Sequence, residues 1–242
     1  MSENVENAEN VENDSLSYLS QLDRIVHKFG LQTDKSMWGH GYNKIYSKYF
    51  DEIRGKEIKF LEIGCAHGAS TQMWAEYFSN SQIITLDHDI KQYKYPDHDR
   101  IKVIKGSQTD VDVLLEINNK YGPFDIIVDD GSHVDAYTKI TFDTLFPHLN
   151  ASGYYVVEDL HVSYHKSIHG IENEHSKMFM DHLKTLIDYT NSHGHCMAGN
   201  VLDCLEQRGL GYPICSHHKM EEMDKVIEFI HFYKSLAFVK KY

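Results

Sequence analysis

No stretch of the sequence comes near the ~20 consecutive apolar residues of a transmembrane helix, so it is read as a chain that does not span a membrane. Its opening, "MSENVENAEN", has neither the basic region nor the apolar core of a secretory signal. Positive charge is scarce: 24 Lys and Arg stand against 36 Asp and Glu, a formal net charge of −12. That balance argues against non-specific nucleic-acid binding, which relies on basic patches, and against docking on anionic lipid. Cysteine is sparse. Cys65, Cys196, Cys204 and Cys215 show no disulfide-framework spacing, which points to a reducing cytoplasm. What the chain does have is 242 residues at 41% apolar content, enough for one large domain or two small ones with a proper core.

Residues 1–14, "MSENVENAENVEND", form an acidic low-complexity repeat and are expected to be disordered. "SLSYLSQLDRIVHKFG" then carries Leu19, Leu22, Ile25, Val26 and Phe29 at helical spacing before a glycine stop. "GHGYNKIYSKYFDEIR" reads as a second helix, so 15–57 is an N-terminal helical segment. From Ile58 short apolar stretches take over: "IKFLEIG", "SQIITLD", "RIKVIKG", "FDIIVDD" and "GYYVVED". Helical stretches at Ser70–Phe78, Val111–Lys120 and Val134–Leu149 separate them. Continuous apolar strands alternating with helices predict a parallel sheet covered on both faces. The ending "VIEFIHFYKSLAFVKKY" predicts two strands joined near Lys234 and Ser235, which must be antiparallel. The expected fold is α/β, Rossmann-like: a mostly parallel seven-stranded sheet with an antiparallel C-terminal hairpin, the class I methyltransferase architecture. Residues 15–242 are read as one domain. Residues 170–225, with a helix in "EHSKMFMDHLKTLIDYT", are read as an insertion near the substrate or an oligomer contact.

"FLEIGCAHGAS" places Glu62, Gly64, Ala66, Gly68 and Ser70 at a strand-to-helix junction. Glycine allows a ligand close to the backbone, and ligands bind at the carboxyl ends of parallel strands. The second glycine of a G-x-G-x-x-G dinucleotide fingerprint is missing. With Glu62 ahead of the turn, S-adenosylmethionine fits better than NAD. The next strand ends in Asp87, positioned to accept ribose hydroxyls, with His88 and Asp89 behind it. "GSQTD" brings Ser107 and Gln108 beside the adenine; the same turn also reads as a polar cap for the helix at Val111. Asp129 completes the cofactor-binding set.

Two strands end in paired acids followed by histidine: Asp129, Asp130 and His133, then Glu158, Asp159 and His161. Carboxylates gathered at neighbouring strand ends repel unless a positive charge joins them. Asp130, Glu158 and Asp159 are hard oxygen donors that suit Mg²⁺ or Mn²⁺. His133, expected in the first turn of the following helix, is the candidate base for a substrate hydroxyl. His161 and Tyr164 are read as lining the acceptor pocket. His193, His195, Cys196, Cys215, His217 and His218 mimic a zinc set, but no H-E-x-x-H and no paired C-x-x-C accompanies them.

From about Thr33 to Lys240 the segments "TDKSMWGHGYNKIYSKYF", "FLEIGCAHGAS", "GSQTD", "FDIIVDDGSH", "LFPHL", "VVEDLHVSY" and "IHFYKSLAFVKK" occur in an order that resembles the metal-dependent sugar O-methyltransferases related to the demethylmacrocin O-methyltransferases. Relatives of that family sit in bacterial capsule and surface-polysaccharide clusters. The resemblance implies S-adenosylmethionine as cofactor, Mg²⁺ on Asp130, Glu158 and Asp159, and His133 as base. It also implies that "TDK" and the following aromatics (Thr33, Asp34, Tyr42) close over the cofactor. The macrolide enzymes carry a larger N-terminal region that is not found here. The expected function is O-methylation of a sugar hydroxyl, nucleotide-linked, capsular or on a natural product, in the cytoplasm, by a possible homo-oligomer. The rival readings are a catechol-type O-methyltransferase, a non-catalytic cofactor-binding protein of the same fold, and a dehydrogenase, which the glycine pattern disfavours.

Overall fold

The computed structural model describes residues 17–95, 98–168, 171–172, 177–197 and 226–242. The acidic repeat 1–14 and most of the 170–225 stretch lie outside them, as do the side chains of the histidine- and cysteine-rich segment from His193 to His218.

The first helix, α1 (Gln21–Phe29), starts at a reciprocal cap. Ser20 Oγ accepts from the Asp23 N–H at 3.1 Å and donates to Asp23 Oδ2 at 2.7 Å. Gly30 ends the helix in the left-handed conformation, φ 62°. The buried Asp23 carboxylate has a second task. Its Oδ1 accepts from the Met37 N–H and from Asn43 Nδ2, both at 3.0 Å, which pins the loop after α1 to the helix's first turn. Helix α2 (Asn43–Phe50) follows. It is shorter than "GHGYNKIYSKYFDEIR" suggests, because Gly41 at φ 74° keeps the preceding residues out of the helix.

Strands β1 (Lys59–Ile63), β2 (Gln82–Asp87), β3 (Ile101–Lys105), β4 (Ile126–Asp129) and β5 (Tyr154–Val157) run parallel, and β6 (Ile227–Tyr233) and β7 (Leu236–Lys241) close the sheet as an antiparallel hairpin. The order is β3-β2-β1-β4-β5-β7-β6, the class I methyltransferase arrangement expected from the sequence. Helices α3 (Ala69–Tyr77), α4 (Val111–Tyr121) and α5 (Asp135–Leu145) follow β1, β3 and β4, and α6 (Met178–Met197) precedes β6.

Successive strand residues point to opposite faces. Phe60, Ile126 and Val128 pack with Tyr46, Phe50 and Trp74 on the side of α1, α2 and α3. Leu61, Ile63 and Ile127 pack with Leu114, Phe142 and Leu183 on the side of α4, α5 and α6. Burial on both faces is why these strands are continuous apolar runs.

Two helix limits differ from expectation. The 134–149 helix ends at Leu145 and continues as a 3₁₀ turn, Phe146–His148, because Pro147 has no N–H to give and its ring crowds the preceding turn. His133 is not in the first turn of α5. Ser132 uses its N–H on Gln108 Oε1 at 2.7 Å and its Oγ to accept from the Val134 N–H at 3.3 Å, so the helix starts only at Asp135.

The chain crosses from β3, on one side of β1, to β4 on the other. In open α/β sheets the ligand crevice opens at such a switch point, outside the carboxyl ends of the strands, here those of β1 and β4. The loop pinned by Asp23 reaches this end of the sheet. Asp23→Ala would free the Ser20 hydroxyl and strand the Met37 and Asn43 donors, the last two at about 1–3 kcal/mol each, so urea denaturation is expected to show a loss of roughly 2–6 kcal/mol. An unchanged midpoint would show that water replaces the carboxylate without cost.

Candidate functional site

At the carboxyl end of β1 the chain turns through Gly64, Ala66 and Gly68, all at positive φ (84°, 42° and 90°). A Cβ on Gly64 would lie 2.2 Å from the Asp130 carbonyl oxygen, so only glycine lets the ends of β1 and β4 approach this closely. Asp87 serves this turn. Its Oδ2 accepts from the N–H groups of Cys65 (2.9 Å) and Ala66 (3.0 Å), and its Oδ1 accepts from the Asp89 N–H at 2.8 Å. Burial pushes its pKa up, but the three N–H bonds outweigh burial and hold the carboxyl below the usual aspartate value. The side chain of His88 is 84% exposed, and Asp89 and Ser107 also stand at the solvent-facing rim. Ser70 lies in the first turn of α3.

Three residues read as cofactor contacts are bound up within the protein. Glu62 is fully buried and accepts from Thr71 Oγ1 (2.6 Å) and Trp74 Nε1 (3.1 Å), which ties β1 to α3. Burial pushes its pKa up to about 6 against the opposing pull of Lys35. Asp129 is 2% exposed and accepts from Tyr155 Oη at 2.9 Å; burial pushes it up to about 7. Gln108 has both ends of its amide engaged: Nε2 donates to Thr141 Oγ1 (3.1 Å) and Oε1 accepts from Ser132 N–H (2.7 Å). It braces the "DDGSH" loop from below.

That loop and the end of β5 bring the acids together. His133 (φ 57°) and Asp159 (φ 54°) are non-glycine residues in the left-handed region, where backbone strain accompanies functional geometry. His133 Nε2 lies 4.0 Å from Asp130 Oδ1 and 3.8 Å from Asp159 Oδ2. One ligand atom from each of Asp130, His133 and Asp159 falls within 4.8 Å of the others. Tyr42 Oη donates to Asp159 Oδ1 at 2.7 Å, and His40 Nδ1 is 3.1 Å from the same oxygen. Tyr42, read as part of a cover over the cofactor, is hydrogen-bonded to the acid cluster.

The residue that sequence reasoning passed over is Lys35, the third member of "TDK". Its Nζ donates to Asp130 Oδ2 at 2.5 Å and to Glu158 Oε2 at 2.9 Å, with its side chain 1% exposed. Tyr46 Oη donates to Glu158 Oε1 at 2.6 Å. Glu158, the expected third ligand, thus has both oxygens engaged by the protein. Burial alone would pull the lysine down; Asp130 and Glu158 override it and hold the ammonium well above the ordinary lysine value. Burial and mutual repulsion push Glu158 far up, and burial raises Asp130 despite Lys35. The Lys35 ammonium serves Asp130 and Glu158, while Asp130 and Asp159 each turn an oxygen toward His133. This donor set fits a hard divalent cation.

Beside Asp159 opens a cavity of about 620 Å³ whose walls include His40, Tyr42, His161, Tyr164, Phe232 and Tyr233. The β6–β7 turn seals one side: Ser235 Oγ pairs with His161 Nδ1 at 2.5 Å. Thr33 and Asp34 line a separate cavity of about 510 Å³ with Leu31 and Trp38. Among the described residues no helix is long and apolar enough to cross a membrane.

The family described as "Methyltransferase domain" matches residues 61–160. The chain is 33% identical to the mycinamicin VI 2''-O-methyltransferase of Micromonospora griseorubida over 218 residues, 86% of this chain and 50% of that protein. It is 31% identical to the demethylmacrocin O-methyltransferase of Streptomyces fradiae over 213 residues, 84% of this chain and 50% of that protein. The chain therefore spans about half the length of the curated relatives it matches. The crystal structure of the MycE methyltransferase from the mycinamycin pathway, in complex with Mg, SAH and mycinamycin VI, superposes with a TM-score of 0.69 at 30% identity, covering 93% of this chain and 55% of that one.

The environment of Glu62 makes a pH prediction. Its folded pKa is raised from 4.5 to about 6, so the folded state holds the proton more tightly. The stability this contributes is complete below 4.5 and is lost as pH rises through 6. Glu62→Gln keeps an acceptor for Trp74 and does not titrate. The variant should therefore gain on the wild type by roughly 2 kcal/mol between pH 4.5 and 7. A stability difference flat across that range would mean that Glu62 ionises normally.

Proposed function

We propose that this chain, a class I methyltransferase homologous to the O-methyltransferases of macrolide and polyketide sugars, moves a methyl group from S-adenosylmethionine to a sugar hydroxyl with the help of Mg²⁺ or Mn²⁺. The observation that carries the reading is the convergence of Asp130, His133 and Asp159 at the edge of an aromatic-walled cavity, beside the glycine turn at the β1–β4 switch point. The acceptor is a sugar that is nucleotide-linked, part of a capsule or surface polysaccharide, or attached to a natural product. The enzyme works as a single domain, residues 15–242, in the cytoplasm.

When bound, S-adenosylmethionine supplies an electrophilic methyl group, and the divalent cation makes a sugar hydroxyl more acidic and holds it in place. Asp130 and Asp159 would hold the cation, and Glu158, whose oxygens meet Lys35 and Tyr46, would be the third ligand. His133 takes the hydroxyl proton on Nε2, which the left-handed backbone at 133 turns toward the acids. Its side chain is 18% exposed, open enough to meet a substrate and shielded enough to limit competition from water. Gly64, Ala66 and Gly68 give the cofactor close access to backbone, Asp87 keeps that turn in shape, and His88, Asp89 and Ser107 stand where a nucleoside rim would pass. The rings of Tyr164 and His161 offer apolar faces to a sugar's C–H surface.

The test is transfer of labelled methyl from S-adenosylmethionine to a panel of free and nucleotide-linked sugars. EDTA should abolish turnover, and Mg²⁺ or Mn²⁺ should restore it; full activity in chelator would sink the metal assignment. His133→Ala should lower kcat by ~10²–10⁴, as loss of a general base does, while calorimetry shows unchanged affinity for S-adenosylmethionine and the cation. Loss of cation affinity in that variant would make His133 a ligand instead.

A further inference from the structure

We infer that Lys35 is a built-in counter-cation that competes with the divalent cation for Asp130 and Glu158: it keeps the metal-free protein folded and sets how tightly the cation is held. The inference rests on the metal reading above and extends it to a residue outside the ligand set.

Geometry carries it first. The ammonium bridges Asp130 Oδ2 and Glu158 Oε2 at 2.5 and 2.9 Å, the position of a small cation shared between two strand ends. An ammonium only donates, so each lone pair it takes is withheld from a metal. With Tyr46 Oη on Glu158 Oε1, Glu158 has no oxygen without a partner while Lys35 is in place. The hard donors that remain are Asp130 Oδ1 and Asp159 Oδ2, fewer than a divalent cation prefers. A full positive charge also stays within a few ångströms of any ion they hold, which lowers affinity.

The frame behind Lys35 argues that this placement is built. Its N–H donates to Thr33 Oγ1 (3.3 Å), and its carbonyl accepts from the Asn43 N–H (2.9 Å). Asn43 and Met37 are in turn held by Asp23 of the α1 cap. A fully buried lysine on so fixed a backbone is a component of the site rather than a surface chain folded inward. Without it, the buried Glu158 and the half-buried Asp130 would lack a cation, and breaking such a pair is destabilising.

The experiment uses Lys35→Met, which keeps length and loses charge. In EDTA its Tm should fall by roughly 10 °C. In titrations with MgCl₂ or MnCl₂ alone, followed by calorimetry, the variant should bind the cation at least about tenfold more tightly than the wild type. Lys35→Met/Glu158→Gln should recover much of the Tm lost in EDTA, because the partner charge has gone too. A merely structural ion pair lowers Tm without tightening the metal, so a variant that binds Mg²⁺ no better than a wild type that does bind it overturns the inference and leaves the metal reading standing. If neither protein binds either ion, both fall. If Lys35→Met does not fold in EDTA, added Mg²⁺ should fold it; a variant that stays unfolded in Mg²⁺, with the double variant equally unfolded, also overturns the inference.

Discussion

The contact between the Lys35 ammonium and the carboxylates of Asp130 and Glu158 is the constraint around which this site is arranged. Its partners lie 95 and 123 residues away in sequence, on two different strand ends. It therefore requires three things at once: β4 paired beside β5, the loop after α1 folded over the sheet's carboxyl edge, and α2 packed so that Tyr46 reaches the other Glu158 oxygen. Each has its own support in packing or hydrogen bonding. Glu158 is buried and Asp130 half-buried beside the ammonium, and the aromatic core around Tyr46 and Trp74 contributes apolar burial next to them.

Around this centre the acids divide by direction. Glu62 and Asp129 point into the protein and are consumed by Thr71, Trp74 and Tyr155. Asp130 and Asp159 keep one oxygen toward His133. The second group gets its outward aim from the left-handed backbone at Asp159 and at His133, where glycine would be the relaxed choice. Retaining aspartate and histidine at those φ values puts backbone strain at the two points where side-chain direction matters most, as is common at functional sites.

Much of this was legible in the sequence. Parallel strands buried on both faces appear as unbroken apolar runs, and the residues that end them fall on one edge of the sheet; hence the strands, the acids and the glycine turn could be read directly. The direction of each acid could not, because whether a carboxylate meets a ligand or a tryptophan depends on the helix packed above it. The placement of His133 failed for a local reason: Ser132 resembles a helix cap but spends its N–H on Gln108, a partner 24 residues away. Lys35 failed for a distant one. Yet a clue was present in the spacing of Tyr42 and Tyr46, four residues apart and so on one helical face. Their hydroxyls reach Asp159 and Glu158, the two acids of "ED".

The C-terminal hairpin has a role beyond closing the sheet. Its turn at Ser235 (φ 66°) lies against the start of the segment that follows β5: the Ser235 carbonyl accepts from the Leu160 N–H at 3.0 Å and from Tyr42 Oη at 3.3 Å, while Ser235 Oγ accepts from the His161 N–H at 3.1 Å. One turn thus joins the loop after α1, the end of β5 and the last strand pair at the mouth of the cavity. The antiparallel β5–β7 pairing fixes the turn's register, with Val157 opposite Ala237. A slip of one residue would reverse which face each side chain meets and carry Ser235 away from His161. The position of the aromatic-walled cavity is therefore tied to sheet register.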